Sequence, residues 1–501
     1  MSRRRLDIAK CVALAAILVL GLSLRIVFWY GLVTVDPFAY ADSAANIARW
    51  LPGFDRAIMG NLYYTQYTRF SLTVPAAAMY CVFGPGEWQS TVVPMAASLG
   101  TVILAYDLAA RVAGATAGLF SAFLAAVFPL SVINSSQFLP DTMLMFWAGL
   151  TMVLFLRGLD GRTRRRRALL FFATGLSWAF AFYAKQTAIA LAIPFLMLLV
   201  ARRRLYPEVC LGVPGALLVV AGVQFLLLSL GSSLFEDLRT VIGEGRDVQP
   251  GALGYTDLDL SYIEDLVSGG MFVPTTVAFV AGLTAIIVLD GWRGMARWGP
   301  GALLALIAGQ YLYFEFLMRL PSLYSWWKEP RYILPMLLPM FAIAGIGFAT
   351  LLDRTRGSGR KTTMICGLGG LGAIATLSVV AVRDDHHYWQ THRIDALAIE
   401  LAEAIEAEPE ATVFTWDDDL ARYLSFHLGL DRTTAYERSR NVGLVRNRFD
   451  PATGADLVEP DSLVVISAAQ DRPGLVTAAE ADWVPIWEKH GVLTLFRTPP
   501  E

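Results

Sequence analysis

Long apolar runs recur along this sequence up to about residue 382, and they restrict its fold more than any other feature. A helix needs about 20 consecutive apolar residues to cross the roughly 30 Å of hydrocarbon in a bilayer, and many of the runs reach that length. Only 17% of the residues are charged, 55% are hydrophobic, and the mean hydropathy is +0.50. The sequence therefore predicts a polytopic α-helical membrane protein.

We predict about eleven membrane-spanning helices. The N-terminus is basic, and the apolar run that follows it has no small-residue cleavage site and is too long for a signal peptide, so we expect a retained first helix. The predicted spans lie near residues 8–34, 89–111, 114–134, 141–157, 168–184, 186–201, 208–230, 272–289, 299–318, 332–351 and 364–382.

The orientation follows from the basic connections, because Lys and Arg in short loops stay on the cytoplasmic side. The basic segments are "MSRRR", "GRTRRRR" (161–167), "RRR" (202–204), "GWRGMARW" (291–298) and "DRTRGSGRK" (353–361). They fall on one side only if 72–86, which is short and contains prolines and glycines, forms a juxtamembrane or re-entrant helix. The N-terminus is then cytoplasmic. The outer face receives 35–88, 135–141, the neighbourhood of Lys185, 231–271, 319–331 and the tail from 383.

The tail changes in character and predicts a small extracytoplasmic α/β domain. An amphipathic helix is expected at 394–410, buried strands at 411–416 and 462–467, a further helix between them, and a hairpin in "WVPIWEKHGVLTLFR". We therefore divide the chain into a transmembrane domain, 1–382, and a soluble domain, 383–501.

Composition excludes several functional classes. The net charge is −2, so nucleic acid is not an expected partner. The four cysteines lie in or beside apolar runs, which excludes a disulfide framework and a CxxC metal site. The five histidines give no HExxH spacing, and we interpret His386, His387 and His392 as residues of the membrane interface.

Two acidic residues on the outer side are candidates for catalysis. Asp36 precedes Pro37 in "VTVDPFAYADSAANIARW", and Asp141 follows Pro140 in "SSQFLPDTMLMFW". Each is typical of a helix start, so capping alone is one interpretation. The other is a general base in a sheltered pocket, or a pair of carboxylates that holds a possible divalent cation. Asp42 points elsewhere on its helix and Asp55 is expected in solvent.

Three cations on the same side are candidates for an anion site. Lys185 lies between two apolar runs in "FYAKQTAIALAIP", and Lys328 and Arg331 lie in "WWKEPRYILP". Snorkelling explains an isolated lysine, but the outer side disfavours positive charge. Together the three would suit a phosphate at the bilayer surface, since Arg offers forked donors and Lys a point charge. The acidic, aromatic loop 231–271 is either a lid or a solvated connection.

The order of these motifs resembles a known superfamily. "DPFAYADSAA", the short helix ending "YCVFG", "SSQFLPDTMLMF", "GLSWAFAFYAKQTAIALAIP" and "EPRYILPMLLPMFAIAGIGF" succeed one another as in the GT-C membrane glycosyltransferases. The most similar branch holds the protein O-mannosyltransferases and the lipid A aminoarabinose transferase, and the resemblance covers about residues 8–350. It implies a GT-C fold and a polyprenyl-phosphate sugar donor. It also implies inverting transfer on the extracytoplasmic face.

The resemblance also implies roles for individual residues. Asp36 and Asp141 correspond to the acids of the first two outer loops, and Lys185 and Arg331 to donor-phosphate ligands, which Lys328 would join. Tyr40 and Tyr332 are the expected substrate-binding residues. The acceptor is a lipid, a glycan or a protein. Two other functions stay open: a polyprenyl-lipid or solute transporter, and a non-catalytic relative that binds polyprenyl lipids.

Overall fold

A computed structural model gives the architecture of the chain. It describes residues 3–33, 35–53, 69–203, 206–229, 261–268, 270–296, 298–316, 330–358, 361–391, 396–406, 413–415, 463–467, 483–489 and 493–497. The chain divides into two compact units, one of residues 1–31 and 64–388 and the other of residues 32–63 and 389–501. Each is taken by itself, and the domain boundary near residue 382 stays a prediction.

The first unit is built of helices. They are α1 (Arg3–Val27), α3 (Phe70–Phe83), α4 (Glu87–Val127), α5 (Pro129–Ser135), α6 (Pro140–Leu159), α7 (Arg164–Ala184), α8 (Ala192–Arg202), α9 (Gly212–Ser229), α10 (Ser261–Ser268), α11 (Val273–Ala296), α12 (Trp298–Glu315), α13 (Leu334–Ser358) and most of α14 (Lys361–Thr391). Three 3-10 turns precede α8, α9 and α13, at Gln186–Leu191, Pro207–Leu211 and Pro330–Ile333.

The predicted polytopic architecture is confirmed. Seven helices in the described part of the chain are long and apolar enough to cross a membrane: α1, α4, α6, α7, α11, α13 and the Pro207–Phe225 stretch of α9 with its leading turn. The 41-residue α4 covers the predicted span 89–111 and the span 114–134 as far as Val127, and its backbone leaves the helical region at Ala113 and Gly114, where the second of these spans begins. The other three predicted spans coincide with the shorter apolar stretch Gln186–Arg202 and with α12 and α14.

Helix α13 lies at the centre of the first unit. Within the apolar window of α13, 83% of the residues are buried, against 11% in that of α1, which faces outward. Close backbone approach is possible because glycines line the contacts. A Cβ added to Gly347 of α13 would lie 2.2 Å from the carbonyl oxygen of Gly282 in α11. Small residues of this kind are the usual contact between membrane helices, where lipid removes the hydrophobic drive for association.

Two segments differ from their predicted limits. The first helix ends at Val27, although the apolar run predicts a span to residue 34, because the chain turns at Gly31 with a φ of +72°. The short helix predicted within 72–86 is found as α3, and its 14 residues are too few to cross a bilayer alone.

The two ends of α6 differ in their surroundings. Asp141 lies at its start, whereas Asp160 follows its last residue and accepts hydrogen bonds from Arg111 (3.1 Å) and Arg202 (2.7 Å). At that second end Arg167 of α7 also donates to Glu208, at 3.0 Å. Arg111, Arg167 and Arg202 therefore lie at the opposite end of the bundle from Asp141.

The second unit contains α2 (Val35–Gly53), α15 (Ala396–Glu406) and a four-stranded sheet. The strands are β1 (Val413–Thr415), β2 (Leu463–Ser467), β3 (Val484–Lys489) and β4 (Leu493–Arg497), in the order β1-β2-β4-β3. β1 and β2 are parallel, and the other pairs are antiparallel. The predicted strands and hairpin are thus confirmed, while the helix expected between β1 and β2 lies outside the described residues.

Candidate active site

The start of α6 places Asp141 inside the protein. Leu139 is extended, as the residue before a proline prefers, and Pro140 occupies the first turn, where its missing N–H costs no hydrogen bond. The Asp141 side chain that follows is fully buried, at 0% exposure. A carboxylate at this depth requires a positive partner.

Lys185 supplies that partner. Its backbone is extended (φ −159°, ψ 132°), which ends α7 before the 3-10 turn Gln186–Leu191 begins. The ammonium Nζ donates to Asp141 Oδ1 at 2.7 Å, and the Lys185 residue is only 6% exposed. The side chain therefore does not snorkel to water, and it forms a buried ion pair across the ends of α6 and α7.

Arg331 approaches the second oxygen of the same carboxylate. Its Nη1 lies 3.9 Å from Asp141 Oδ2, a distance for charge attraction rather than a hydrogen bond. The 3-10 turn Pro330–Ile333 carries Arg331 at the start of α13. Three separate elements thus bring one carboxylate and two cations together at one end of the bundle.

Arg69 is a further member of this cluster that the sequence analysis missed. It precedes α3, is 8% exposed, and donates from Nη1 to the Ala184 carbonyl at 3.3 Å and to Gln186 Oε1 at 2.5 Å. These acceptors flank Lys185, and Arg69 is close enough to act electrostatically on both Lys185 and Asp141. The available signal is a lone arginine before an apolar helix on the predicted outer side. The same kind of signal singles out Lys185.

The described residues of the cluster include more cations than carboxylates. Lys185, Arg331 and Arg69 all act on the one carboxylate of Asp141. Burial lowers the pKa of the Lys185 ammonium to about 8, and the attraction of Asp141 opposes that effect.

The remaining predicted site residues are Asp36, Tyr40, Tyr332 and Lys328. Asp36 is exposed in the first turn of α2, and Tyr40 is half-buried one turn later on the same face of that helix. Both belong to the second unit, so their convergence with Asp141 stays a prediction. Tyr332 lies in the turn after Arg331, where only its backbone is described. Lys328 lies outside the described residues, as do Asp55 and His392.

A divalent cation does not fit the surroundings of Asp141. The carboxylate faces Lys185, Arg331 and Arg69, and three positive charges oppose the entry of another cation. In the part of the chain that the structure describes, no three His, Cys, Asp or Glu residues lie together as a set of metal ligands. We therefore assign no chemical step to a metal.

Part of the chain is similar to a known protein family. Residues 75–229 match the model of the dolichyl-phosphate-mannose-protein mannosyltransferase family. No curated protein matches the sequence.

Solved structures share the fold over most of the chain. ArnT from Cupriavidus metallidurans bound to undecaprenyl phosphate has a TM-score of 0.70 at 16% identity, and the match covers 96% of this chain and 97% of that one. The oligosaccharyltransferase AglB from Archaeoglobus fulgidus, in complex with an inhibitory peptide and a dolichol-phosphate, has a TM-score of 0.53 at 12% identity, covering 94% and 70%.

The family match and the shared fold agree with the motifs of the sequence. They confirm the predicted resemblance: residues 75–229 are similar to the mannosyltransferase family, and the chain has the fold of ArnT.

Proposed function

We propose that this protein is an inverting glycosyltransferase that moves a sugar from a polyprenyl-phosphate donor to an acceptor hydroxyl on the extracytoplasmic face of the membrane. The observation that carries the proposal is the cluster of the buried Lys185 and Arg69 and the partly exposed Arg331 around the buried Asp141. These cations lie at one end of a bundle whose helices are long and apolar enough to cross a bilayer.

A phosphate monoester or diester matches this cluster. An ammonium such as that of Lys185 binds a phosphate oxygen as a point charge, while a guanidinium binds two oxygens at once. ArnT has been solved with undecaprenyl phosphate and AglB with a dolichol-phosphate. By analogy we assign the donor phosphate of this protein to Lys185, Arg331 and Arg69, with Lys328 as a fourth candidate.

The proposed reaction is a single displacement. The acceptor hydroxyl oxygen attacks the anomeric carbon while the bond from that carbon to the phosphate oxygen breaks. The polyprenyl phosphate leaves with the bonding electron pair, and Lys185 and the arginines stabilise the charge that it gains. Asp36 takes the hydroxyl proton as general base. Because the attack comes from the face opposite the leaving phosphate, the anomeric configuration inverts.

The remaining residues have supporting roles in this proposal. Asp141 holds Lys185 charged and in place, since an unpaired ammonium at 6% exposure would tend to lose its proton. Tyr40 follows Asp36 by one helical turn and is assigned to the substrate, as is Tyr332 beside Arg331. The acceptor is a lipid, a glycan or a protein.

The proposed sidedness rests on the two ends of the bundle. The arginine-rich end that holds Asp160 suits the cytoplasm, because positive loops are retained there. Asp141 lies at the other end of α6, so the site opens to the extracytoplasmic side. The N-terminus is then cytoplasmic, and the soluble domain after residue 382 is extracytoplasmic.

Transport is the competing function from another class. Transporters usually bind their substrates near the middle of the membrane, between repeated halves with broken helices. In the described part of this chain, the buried Asp141 and its cations collect at helix ends instead. A non-catalytic relative that binds polyprenyl lipids is the second alternative, and turnover separates it from an enzyme.

The test is turnover by the purified, detergent-solubilised protein. We expect a panel of polyprenyl-phosphate hexoses and pentoses to include a donor from which the parent releases polyprenyl phosphate and transfers sugar to extracted envelope acceptors. Asp36→Asn should bind undecaprenyl phosphate normally and lower turnover by about 10²- to 10⁴-fold. Asp160→Asn, which neutralises an aspartate at the opposite end of the bundle, is the matched control.

Each outcome discriminates between the functions. Lipid movement in vesicles without release of polyprenyl phosphate would support transport. Binding of undecaprenyl phosphate without any turnover would support the non-catalytic relative. Near-parental turnover in Asp36→Asn would remove Asp36 from the mechanism.

A further inference from the structure

Two short connections meet at the end of the bundle opposite Asp141: one joins α6 to α7, and the other joins α8 to α9. Asp160 in the first connection accepts a hydrogen bond from Arg202 at the end of α8, at 2.7 Å. Glu208 in the second accepts one from Arg167 in the first turn of α7, at 3.0 Å. The two connections are therefore bonded to each other and form one face of the first unit.

Four exposed arginines on this face take no part in these bonds. We call them the arginine patch; they are Arg162, Arg165, Arg166 and Arg203. None of the four forms an ion pair in the part of the chain that the structure describes, and both acids of the connections, Asp160 and Glu208, are bound to other arginines. The patch therefore presents positive charge that no described carboxylate neutralises.

The position of the patch along α7 indicates an anionic partner. Arg165 and Arg166 lie in the first turn of α7, which contains no acidic residue. The start of a helix is the positive end of its dipole, so cations there cost free energy that a bound anion recovers. Retention of positive loops on one side of the membrane explains arginines anywhere in the connection. It does not explain why they extend into the first turn of the helix.

The surroundings of the patch indicate which anion it meets. α7 is long and apolar enough to cross a membrane, so its first turn lies at the level of the lipid headgroups. Leu169 follows Arg165 by one turn on the same side of α7 and is 62% exposed. On α8, Leu196 and Val200 are 63% and 67% exposed. An anion with arginines at its phosphate and hydrocarbon beside it is a phospholipid.

We propose that the arginine patch binds the headgroup phosphates of anionic phospholipids, such as phosphatidylglycerol, in the leaflet at this end of the bundle. A guanidinium offers forked donors to phosphate oxygens, and each basic residue at an anionic membrane surface raises affinity about fivefold. The patch and the Lys185 cluster lie at opposite ends of the bundle. The inference therefore does not rest on the proposed function.

Lipid binding by the purified full-length protein in detergent tests the inference. Titrations followed by native mass spectrometry give affinities for phosphatidylglycerol and for phosphatidylcholine, which has a phosphate but no net charge. We expect the parent to bind phosphatidylglycerol about 100-fold more tightly. The triple variant Arg162→Gln, Arg165→Gln and Arg166→Gln should lose most of this preference, at about fivefold for each arginine. Its affinity for phosphatidylcholine should equal that of the parent.

Two control variants separate the patch from other cations. Arg354→Gln removes an arginine of α13 at the same end of the bundle, which is 63% exposed and pairs with Asp290 at 3.7 Å. Its affinity for phosphatidylglycerol should stay within about twofold of the parent, whereas Arg165→Gln should lose about fivefold. Lys185→Gln, in the cluster at the other end, should bind phosphatidylglycerol as the parent does.

Three outcomes of these titrations would overturn the inference. Equal affinities of the parent for the two lipids would remove the preference for an anion. Equal losses in Arg165→Gln and Arg354→Gln would show an effect of net charge rather than of the patch. Loss of phosphatidylglycerol binding in Lys185→Gln would place the anionic lipid at the Lys185 cluster instead.

The stability of the triple variant checks the cost assigned to the patch. In an uncharged detergent without added lipid, the thermal unfolding midpoint of the triple variant should equal or exceed that of the parent, because cations leave the positive end of α7. Phosphatidylglycerol should raise the midpoint of the parent more than that of the variant. A variant with a lower lipid-free midpoint and an equal rise with lipid would contradict the account.

Discussion

Neutralising Asp141 tests the electrostatics of the proposed phosphate site. Asp141→Asn keeps the size of the side chain but removes the negative charge 2.7 Å from Lys185 Nζ. Both residues are more than nine-tenths buried. Removing one partner of such a pair leaves an uncompensated charge, at a cost of about 3–5 kcal/mol. Loss of the Lys185 proton relieves that cost.

The consequence for the donor phosphate is a loss of affinity. In the parent the pKa of Lys185 is about 8, so most of the ammonium is protonated at neutral pH. Without Asp141 the pKa falls further, because only burial and the neighbouring arginines then act on it. One charge-assisted contact to phosphate is worth about 1.5–3 kcal/mol, so we expect binding about 10- to 100-fold weaker near neutral pH.

The direction in which the phosphate affinity changes with pH follows from the charge of Lys185. A lysine is charged below its pKa, so phosphate affinity in the parent should fall as pH rises through about 8. In Asp141→Asn the same fall should occur at lower pH, and the two proteins should approach each other as the medium becomes more acidic. The assay is titration of the detergent-solubilised protein with undecaprenyl phosphate over a pH series. Asp160→Asn, at the other end of the same helix, is the control.

Tighter binding of undecaprenyl phosphate by Asp141→Asn would contradict this reasoning. If Lys185 kept its charge without its partner, removing the negative charge of Asp141 would leave a more positive site. Asp141→Asn would then bind undecaprenyl phosphate more tightly than the parent at every pH. That outcome would refute the reasoning that Asp141 maintains the charge of Lys185. Lys185→Gln checks the assignment, because its binding should be weak and independent of pH in this range.

Two further predictions concern residues that the sequence alone did not single out. Arg69→Gln should weaken binding of undecaprenyl phosphate by about tenfold through loss of one charged donor. Arg111→Gln, at the opposite end of the bundle, should not weaken it. If the two variants bound undecaprenyl phosphate equally well in a titration, Arg69 would be excluded from the site. Gly31→Ala should lower the thermal unfolding midpoint, because its φ of +72° costs an L-residue about 1–2 kcal/mol and its Cβ would lie 2.1 Å from Glu87 Oε2. Gly370→Ala, whose Cβ meets nothing within 4 Å, should leave the midpoint unchanged or raise it, and equal effects of the two substitutions would contradict the argument.

The membrane architecture could be predicted because it depends on local composition. Each span needs a run of apolar residues, and each cytoplasmic loop retains its arginines, so both signals are readable without knowledge of packing. The same reasoning singled out Lys185 as a cation on the predicted outer side and Asp141 at the start of a span. Their pairing at 2.7 Å then follows from α6 and α7 being antiparallel neighbours.

Other features depend on contacts that are distant in sequence. Arg69 donates hydrogen bonds to Ala184 and Gln186, more than 110 residues away, and no local sequence pattern predicts these contacts. The end of α1 at Val27 is similar, because the turn at Gly31 is held by Ser136 rather than by the apolar run before it. The position of Asp36 relative to Asp141 is a relation of the same kind, and it stays a prediction.

The most direct test of the central claim is an experimental structure of the parent protein with undecaprenyl phosphate bound. We predict phosphate oxygens within hydrogen-bonding distance of Lys185 Nζ and of the Arg331 guanidinium, with the polyprenyl chain leaving along the bundle into the lipid. A phosphate bound instead at the opposite end, among Arg111, Arg202 and Arg167, would contradict the proposed donor site and the sidedness of the reaction.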